Sequence, residues 1–332
     1  MSFPRPDDDD ERWLITGAHG CIGAWAVHQL VSEGAHVVAL DISDDPRRLQ
    51  LLMGAEELSR VRTARADITD LAQLERTLDE HVITNVIHLA ALQVPFCRAD
   101  PSLGALVNVV GTVNVLEAVA RRQERMAPVV YASSIAAYEE IETGASDGRA
   151  PSPDGGIPGT LYGVYKRANE GAAAVYWRDR QLSSVGLRPH TVYGPGRDQG
   201  VTSAPTAAML AAAGGAPFHI PYGGRFLFQY APDVARAFID VSRAAPSGAT
   251  VHNLGGASVH MSEIIAAIEA AAPDAVGCIT HEDTPLSFPE EVDASSLANV
   301  VDSLPDTSVI DGVGDTIARF RVLLATGQLT RA

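Results

Sequence analysis

Short apolar runs and longer helical stripes alternate through the first two thirds of the chain. Trp13-Leu14-Ile15 is a buried-strand candidate that runs straight into Gly17-Ala18-His19-Gly20-Cys21-Ile22-Gly23. Apolar positions at Ile22, Ala26, Val27, Leu30 and Val31 then follow a helical period, and Gly34 ends it as a C-cap. Val37-Val38-Ala39-Leu40 is a second strand, stopping at Asp41. Strands apolar on both faces belong to a parallel sheet covered by helices, so this is one βαβ unit of an α/β fold. The rhythm continues. Helices are expected at 71–80, 108–122 and 161–180, and strands at 85–89, 129–132 and 184–187. Residues 143–160, rich in Gly, Pro and Ser, predict a loop over a site.

After Arg188 the alternation breaks. Gly and Pro crowd residues 195–224 around an Ala-rich helix at 206–213. A helix at 234–243 leads to a returning strand at His252-Asn253-Leu254, and helices at 262–272 and 314–326 follow. The expected division is a dinucleotide-binding domain at 11–190 with a return segment at about 226–254. A smaller C-terminal substrate lobe takes 191–225 and 255–332.

The composition narrows the function. A net charge of −16 argues against a nucleic-acid partner, whose phosphates call for a basic patch. No apolar run reads as long enough to span a bilayer, and the N-terminus, with Asp7 to Asp10, has no secretory pattern. Residues 1–10 read as a disordered acidic leader. Cys21, Cys97 and Cys278 are too scattered for a metal cluster or a disulfide framework, so a reducing cytoplasm and no metal are expected. Of the 25 basic residues, Lys166 is the only lysine. Arginine does not replace a compact ammonium in a tight site, so this lysine is a candidate for chemistry.

The glycine run follows a strand, opens a helix and precedes a strand ending in an acid. That context points to dinucleotide binding: Gly17, Gly20 and Gly23 let the backbone approach a pyrophosphate at a helix N-terminus. Asp41 is placed to accept from the adenosine ribose hydroxyls and to repel a 2′-phosphate, which favours NAD; Arg47 and Arg48 lie nearby. Tyr162 and Lys166 are one helical turn apart, on one face. An ammonium beside a phenol stabilises the phenolate, so the pair can take a carbinol proton while a hydride leaves.

The set as a whole resembles the extended short-chain dehydrogenases/reductases, the NAD-dependent epimerase/dehydratase family. The matching stretches include Thr16 to Gly23, Asp67-Ile68, His88-Leu89-Ala90-Ala91, Ser133 to Tyr138, Tyr162 to Lys166, and Leu187-Arg188-Pro189 through Gly196. The resemblance covers most of residues 12–240. It implies a Rossmann-type doubly wound parallel sheet with a C-terminal substrate lobe, bound NAD and a catalytic Ser134, Tyr162 and Lys166. His19, Cys21, Ile22, Asp67, Ile68, Leu89, Ala90, Ala91 and a helix-start Asn108 are implied cofactor contacts, and Lys166 is also implied to bind the nicotinamide ribose. Gln93, Ser133, His190, Thr191, Arg197 and Arg225 are expected to face a carbohydrate-like substrate. A homodimer through the helices at 108–122 and 161–180 is also implied, with Tyr176 and Trp177 as candidate interface residues.

The departures from the family pattern matter. Ile135 and Ala136 stand where the 4,6-dehydratases carry an Asp-Glu pair, and Ala136 where the 3,5-epimerases carry Cys; neither side chain can move a proton. Thr191 replaces an Asn common in members that bind nucleotide sugars, and Phe226, beside Arg225, replaces a phosphate-holding Arg. The remaining groups support hydride transfer at one carbon. The leading expectation is an NAD-dependent epimerase of a sugar or sugar nucleotide. The alternative is a dehydrogenase/reductase of a free sugar, sugar acid or other hydroxyl compound. A non-catalytic NAD-binding sensor is disfavoured by the presence of both Tyr162 and Lys166.

Overall fold

A computed structural model describes residues 11–138 and 156–330. The acidic leader and most of the 143–160 segment lie outside the described residues. Six strands come in chain order: β1 (Arg12–Thr16), β2 (His36–Asp41), β3 (Arg62–Arg65), β4 (Asn85–His88), β5 (Val129–Ala132) and β6 (Ser184–Arg188). The chain then forms β7 (Thr191–Tyr193), β8 (Phe218–Ile220) and β9 (Arg225–Tyr230), and returns through helix Ala231–Ala244 to β10 (Ala249–Asn253). It leaves again as β11 (Ala257–His260) and β12 (Ile279–His281). The main sheet has the order β10-β6-β5-β4-β1-β2-β3, and all its pairs are parallel. The strand order reverses between β1 and β4, and ligands of such sheets bind outside the carboxyl ends of the strands at that point.

Alternation along β1 shows why both faces are covered. Trp13 and Ile15 pack with Trp25, Leu30 and Phe238 on one side, while Leu14 packs with Leu74, Leu78 and Leu116 on the other. Helix Leu161–Arg180 has the predicted limits. Thr160 caps its start by accepting from the Gly163 N–H at 3.1 Å.

Three expectations are corrected. The helix expected from Asn108 begins at Pro101, where Asp100 accepts from the Leu103 N–H at 2.9 Å. A continuous helical run, Pro101–Ala120, results. By length and composition alone it could cross a membrane, contrary to the sequence reading; here its apolar residues Val115, Leu116 and Val119 pack into the core beneath the sheet. The return segment is shorter than expected. β9 joins not the main sheet but a three-stranded one, order β11-β9-β7, and only helix Ala231–Ala244 and β10 rejoin the main sheet. That small sheet, with helices Ala204–Gly214, Met261–Ala271 and Val309–Ala325, surrounds a separate core. In it Tyr193 stacks on Phe228 with centroids 3.8 Å apart.

Candidate active site

A cleft of about 990 Å³ opens at the carboxyl ends of the main strands, between the sheet and the smaller lobe. It is at the upper end of the roughly 300–1,000 Å³ typical of small-ligand sites, so a dinucleotide and a second ligand can share it. Of the catalytic, cofactor and substrate residues expected from the sequence, all but Asn108 and Arg225 line it.

The glycine turn forms the floor. Gly17 has φ +68°, and a Cβ there would lie 2.7 Å from the Ala90 nitrogen. A Cβ on Gly23 would collide with the Gly17 carbonyl. The two glycines thus bring β1, the turn after β4 and helix Cys21–Ser32 into contact. No side chain caps that helix and its first turn holds no acid, so its N–H groups are left for an anion. Asp41 accepts from the His19 N–H at 3.0 Å and from the Ser43 N–H at 3.0 Å, which holds its carboxylate at the edge of the cleft. Both imidazole nitrogens of His19 are buried without a partner. A bare helix N-terminus, a cradle that only glycine fits and an unpartnered imidazole suit a dinucleotide pyrophosphate and ribose. Arg48, a nearby cation that could soften the preference of Asp41, is otherwise engaged: it donates to the His19 carbonyl at 2.6 Å and to Asp198 at 2.5 and 2.9 Å.

Asn108 does not face the cleft. It lies within the wider turn Leu106–Val110, accepts from the Leu92 N–H at 2.7 Å and donates to the Leu92 carbonyl at 2.8 Å. Its contact shapes the wall after β4 rather than touching a ligand.

Lys166 is 4% exposed, donates to the Ala132 carbonyl at 2.6 Å, and its ammonium lies 5.5 Å from the centre of the Tyr162 ring. Burial pulls the Lys166 pKa down to about 8, against the opposing pull of Cys97 and Glu170. Tyr162 departs from the expectation. Burial pushes its phenol above the ordinary value, and the groups that oppose this are the Ser134 hydroxyl and Arg197 rather than Lys166. Desolvation of the phenolate outweighs its charged neighbours here. Ser134 caps the short turn Ile135–Ala137, accepting from the Ala136 N–H at 3.1 Å. No acid/base group follows it: Ile135 and Ala136 are both buried and apolar.

Ser133 is engaged elsewhere. Its hydroxyl donates to Glu170 at 2.5 Å, and Glu170 also takes both nitrogens of a fork from Arg188, at 2.8 and 2.7 Å. Glu170 lies one turn beyond Lys166 on the same helix, so the spacing that revealed Tyr162 and Lys166 also marks it. His190 is a wall, not a proton carrier. Its Nε2 donates to the Pro289 carbonyl at 2.8 Å, its Nδ1 accepts from the Thr191 N–H at 2.8 Å, and burial lowers its pKa to about 4. Thr191 is buried beside it. Arg225 points away from the cleft, donating to the Ser258 carbonyl at 2.7 Å and pairing with Glu263 at 3.1 Å. Its neighbour Phe226 is fully buried in the lobe core. Tyr222, within the stretch 219–225 that the sequence marked for the substrate, also lines the cleft, as does the stretch 284–288, which the sequence did not mark.

Residues 13–255 match the NAD dependent epimerase/dehydratase family. The chain belongs to that family. A UDP-glucose 4-epimerase of Mycolicibacterium smegmatis is 29% identical over 325 residues, covering 93% of this chain and 98% of that protein. The crystal structure of the Thermus thermophilus UDP-glucose 4-epimerase in complex with NAD aligns at TM-score 0.75 and 28% identity, over 93% of this chain and 99% of that one. UDP-glucuronate 4-epimerase 5 of Arabidopsis thaliana is 33% identical over 186 residues; the match takes in 55% of this chain but only 42% of the length of that protein. Membership makes the chain an NAD-dependent enzyme of the extended short-chain dehydrogenase/reductase type, in agreement with the cradle that the glycine turn forms.

Proposed function

We propose that the chain is an epimerase that inverts a hydroxyl-bearing carbon of a sugar or sugar nucleotide through a transient ketone. The observation that carries this is the minimal set at the cleft: Ser134, Tyr162 and Lys166 together, with Ile135 and Ala136 in place of the groups elimination needs. Bound NAD supplies a hydride acceptor. Tyr162 takes the proton of the substrate carbinol and returns it, the Ser134 hydroxyl holds the substrate oxygen and, with Arg197, favours the phenolate, and Lys166 would hold the nicotinamide ribose. The UDP-sugar 4-epimerases among the relatives support the substrate class. The test is proton NMR of UDP-glucose and UDP-glucuronate incubated with the NAD-loaded protein. Inversion at one carbon without accumulating NADH is expected; stoichiometric NADH with no inversion overturns the reading.

One observation favours a second reading, a dehydrogenase of a free sugar or sugar acid. Phe226 is buried and Arg225 is turned away, so the place expected to hold a nucleotide phosphate has no cation. We also propose a homodimer. Leu103, Leu106 and Val110 on one helical run and Val164 and Val175 on the neighbouring helix are 39–45% exposed, an apolar surface that a second copy would cover. Tyr176, by contrast, is tied to Glu117 through its hydroxyl at 3.0 Å. Sedimentation equilibrium should give twice the chain mass, and Val164→Glu should give monomers; a monomeric parent protein contradicts the proposal.

A further inference from the structure

We infer that the substrate carries a carboxylate close to its reacting carbon and that Arg197 binds it. This rests on the proposed hydride chemistry at Tyr162 and names the class of molecule that the site takes.

Charge is unevenly distributed along the cleft. Among the described residues, the acids that line it are Asp41, Asp45 and Asp67, all at or just beyond the ends of β2 and β3. The far end is lined by Arg98 and Arg197, with no acid among the described lining residues. Neither arginine makes an ion pair among the described residues, whereas Arg47 pairs with Asp45 and Arg48 with Asp198. In a chain of net charge −16, two unpaired cations at one end of one cleft form a local positive field suited to an anionic ligand.

Arg197 is the inner of the two. Its Nη2 donates to Thr202 at 3.0 Å, and its Nε is buried with no partner. Holding a partly desolvated guanidinium without a counter-charge is costly, and an anion in the cleft removes that cost. Two other polar groups converge there. A Cβ on Gly200 would lie 2.7 Å from Gln93 Oε1 and 3.1 Å from Arg197 Nη2, so these two side chains meet at one point. The Gln93 oxygen is buried without a partner, as is the Tyr222 hydroxyl. The Arg197 charge also acts on the phenols of both Tyr162 and Tyr222. It acts on the Cys21 thiol as well, so an anion held by Arg197 lies between Tyr162 and the glycine turn. A planar fork matches a carboxylate in two parallel hydrogen bonds.

The test is isothermal titration of the NAD-loaded protein with UDP-glucuronate, UDP-glucose, UDP and glucuronate. The parent protein should bind UDP-glucuronate better than UDP-glucose. The UDP-glucuronate preference should be about 10- to 100-fold, the range for a hydrogen-bonded charge pair. Arg197→Gln should abolish that preference while UDP affinity and NAD content stay unchanged, and Arg197→Lys should restore part of it. Melting curves confirm that both variants fold. Measurable and equal binding of UDP-glucuronate and UDP-glucose overturns the inference. So does an Arg197→Gln variant that loses UDP as strongly as UDP-glucuronate, which would make Arg197 a phosphate ligand. If UDP-glucose is bound and inverted as well as the acid, the epimerase reading stands and the acidic substrate falls. If only glucuronate binds, the acidic substrate stands and the nucleotide falls. Binding of none of the four overturns the assignment.

Discussion

At the cofactor end of the cleft, the turn at Gly17–Gly23 and the acid at Asp41 come from one continuous βαβ unit. At the substrate end, Gln93, Arg197, Tyr222 and Phe288 arrive from four separate segments. The first end is acidic and closed by backbone; the second is basic and closed by side chains, three of whose buried polar atoms lack partners. A shared cofactor needs only a local turn with fixed spacing. A particular substrate needs side chains that only the tertiary fold brings together, and there this chain departs from its family's pattern.

The largest effect expected from breaking this contrast is at the glycine turn. Gly23→Ala sets a Cβ against the Gly17 carbonyl and 2.9 Å from the Ala18 Cα, backbone atoms that cannot swing aside. It should cost about 1–3 kcal/mol of stability, as overpacking does, and empty the protein of NAD. Absorbance of the released cofactor and thermal melting check both. A variant that retains NAD at the parent level would show that the turn is not the cradle.

The same contrast explains what could be read in the sequence. Six of the seven main strands and helix Leu161–Arg180 were legible because periodicity and caps act within a few residues; β3, Arg62–Arg65, has no apolar run and gave no signal. The start of helix Pro101–Ala120 was also encoded, as an N-cap Asp100 followed by Pro101, yet the apolar stripe after Asn108 masked it. In the substrate lobe the three helices expected at 206–213, 262–272 and 314–326 are present, but the strand pairing was not legible. β8 pairs with β12 across the chain, Phe218 with Ile279, and no local signal sets that register. Arg225 shows the consequence. On a strand, adjacent residues face opposite sides, so Phe226 enters the core and Arg225 points outward, and a one-residue difference in alignment reverses the reading. Ser133 beside Ser134 differs in the same way: one hydroxyl is held by Glu170 and the other stays at the cleft.

A smaller effect sharpens the comparison from both sides. His88, at the end of β4, bonds Thr16 at 2.7 Å and Thr112 at 3.0 Å, and burial lowers its pKa to about 3; His190 in the other half falls to about 4. Both stay neutral in the fold, while the unfolded chain takes up protons below the ordinary value of 6.5. Stability should therefore be complete above pH 6.5 and fall with acid, towards pH 3 for His88 and pH 4 for His190. The slope is about 1.4 kcal/mol per pH unit for each histidine. Urea unfolding of the parent, His88→Asn and His190→Asn from pH 7 to 5 should show each substitution flattening the slope by one histidine's share. An unchanged slope would mean that the histidine is already solvated.

The two ends of the cleft meet at Tyr162, and Tyr162→Phe tests the account most directly. Removing one hydroxyl should lower turnover by about 10²–10⁴-fold, the usual contribution of a positioned acid/base group, while NAD content and melting temperature stay at the parent values. An unchanged turnover rate on a substrate that the parent protein inverts would contradict the assignment of the chemistry to this residue.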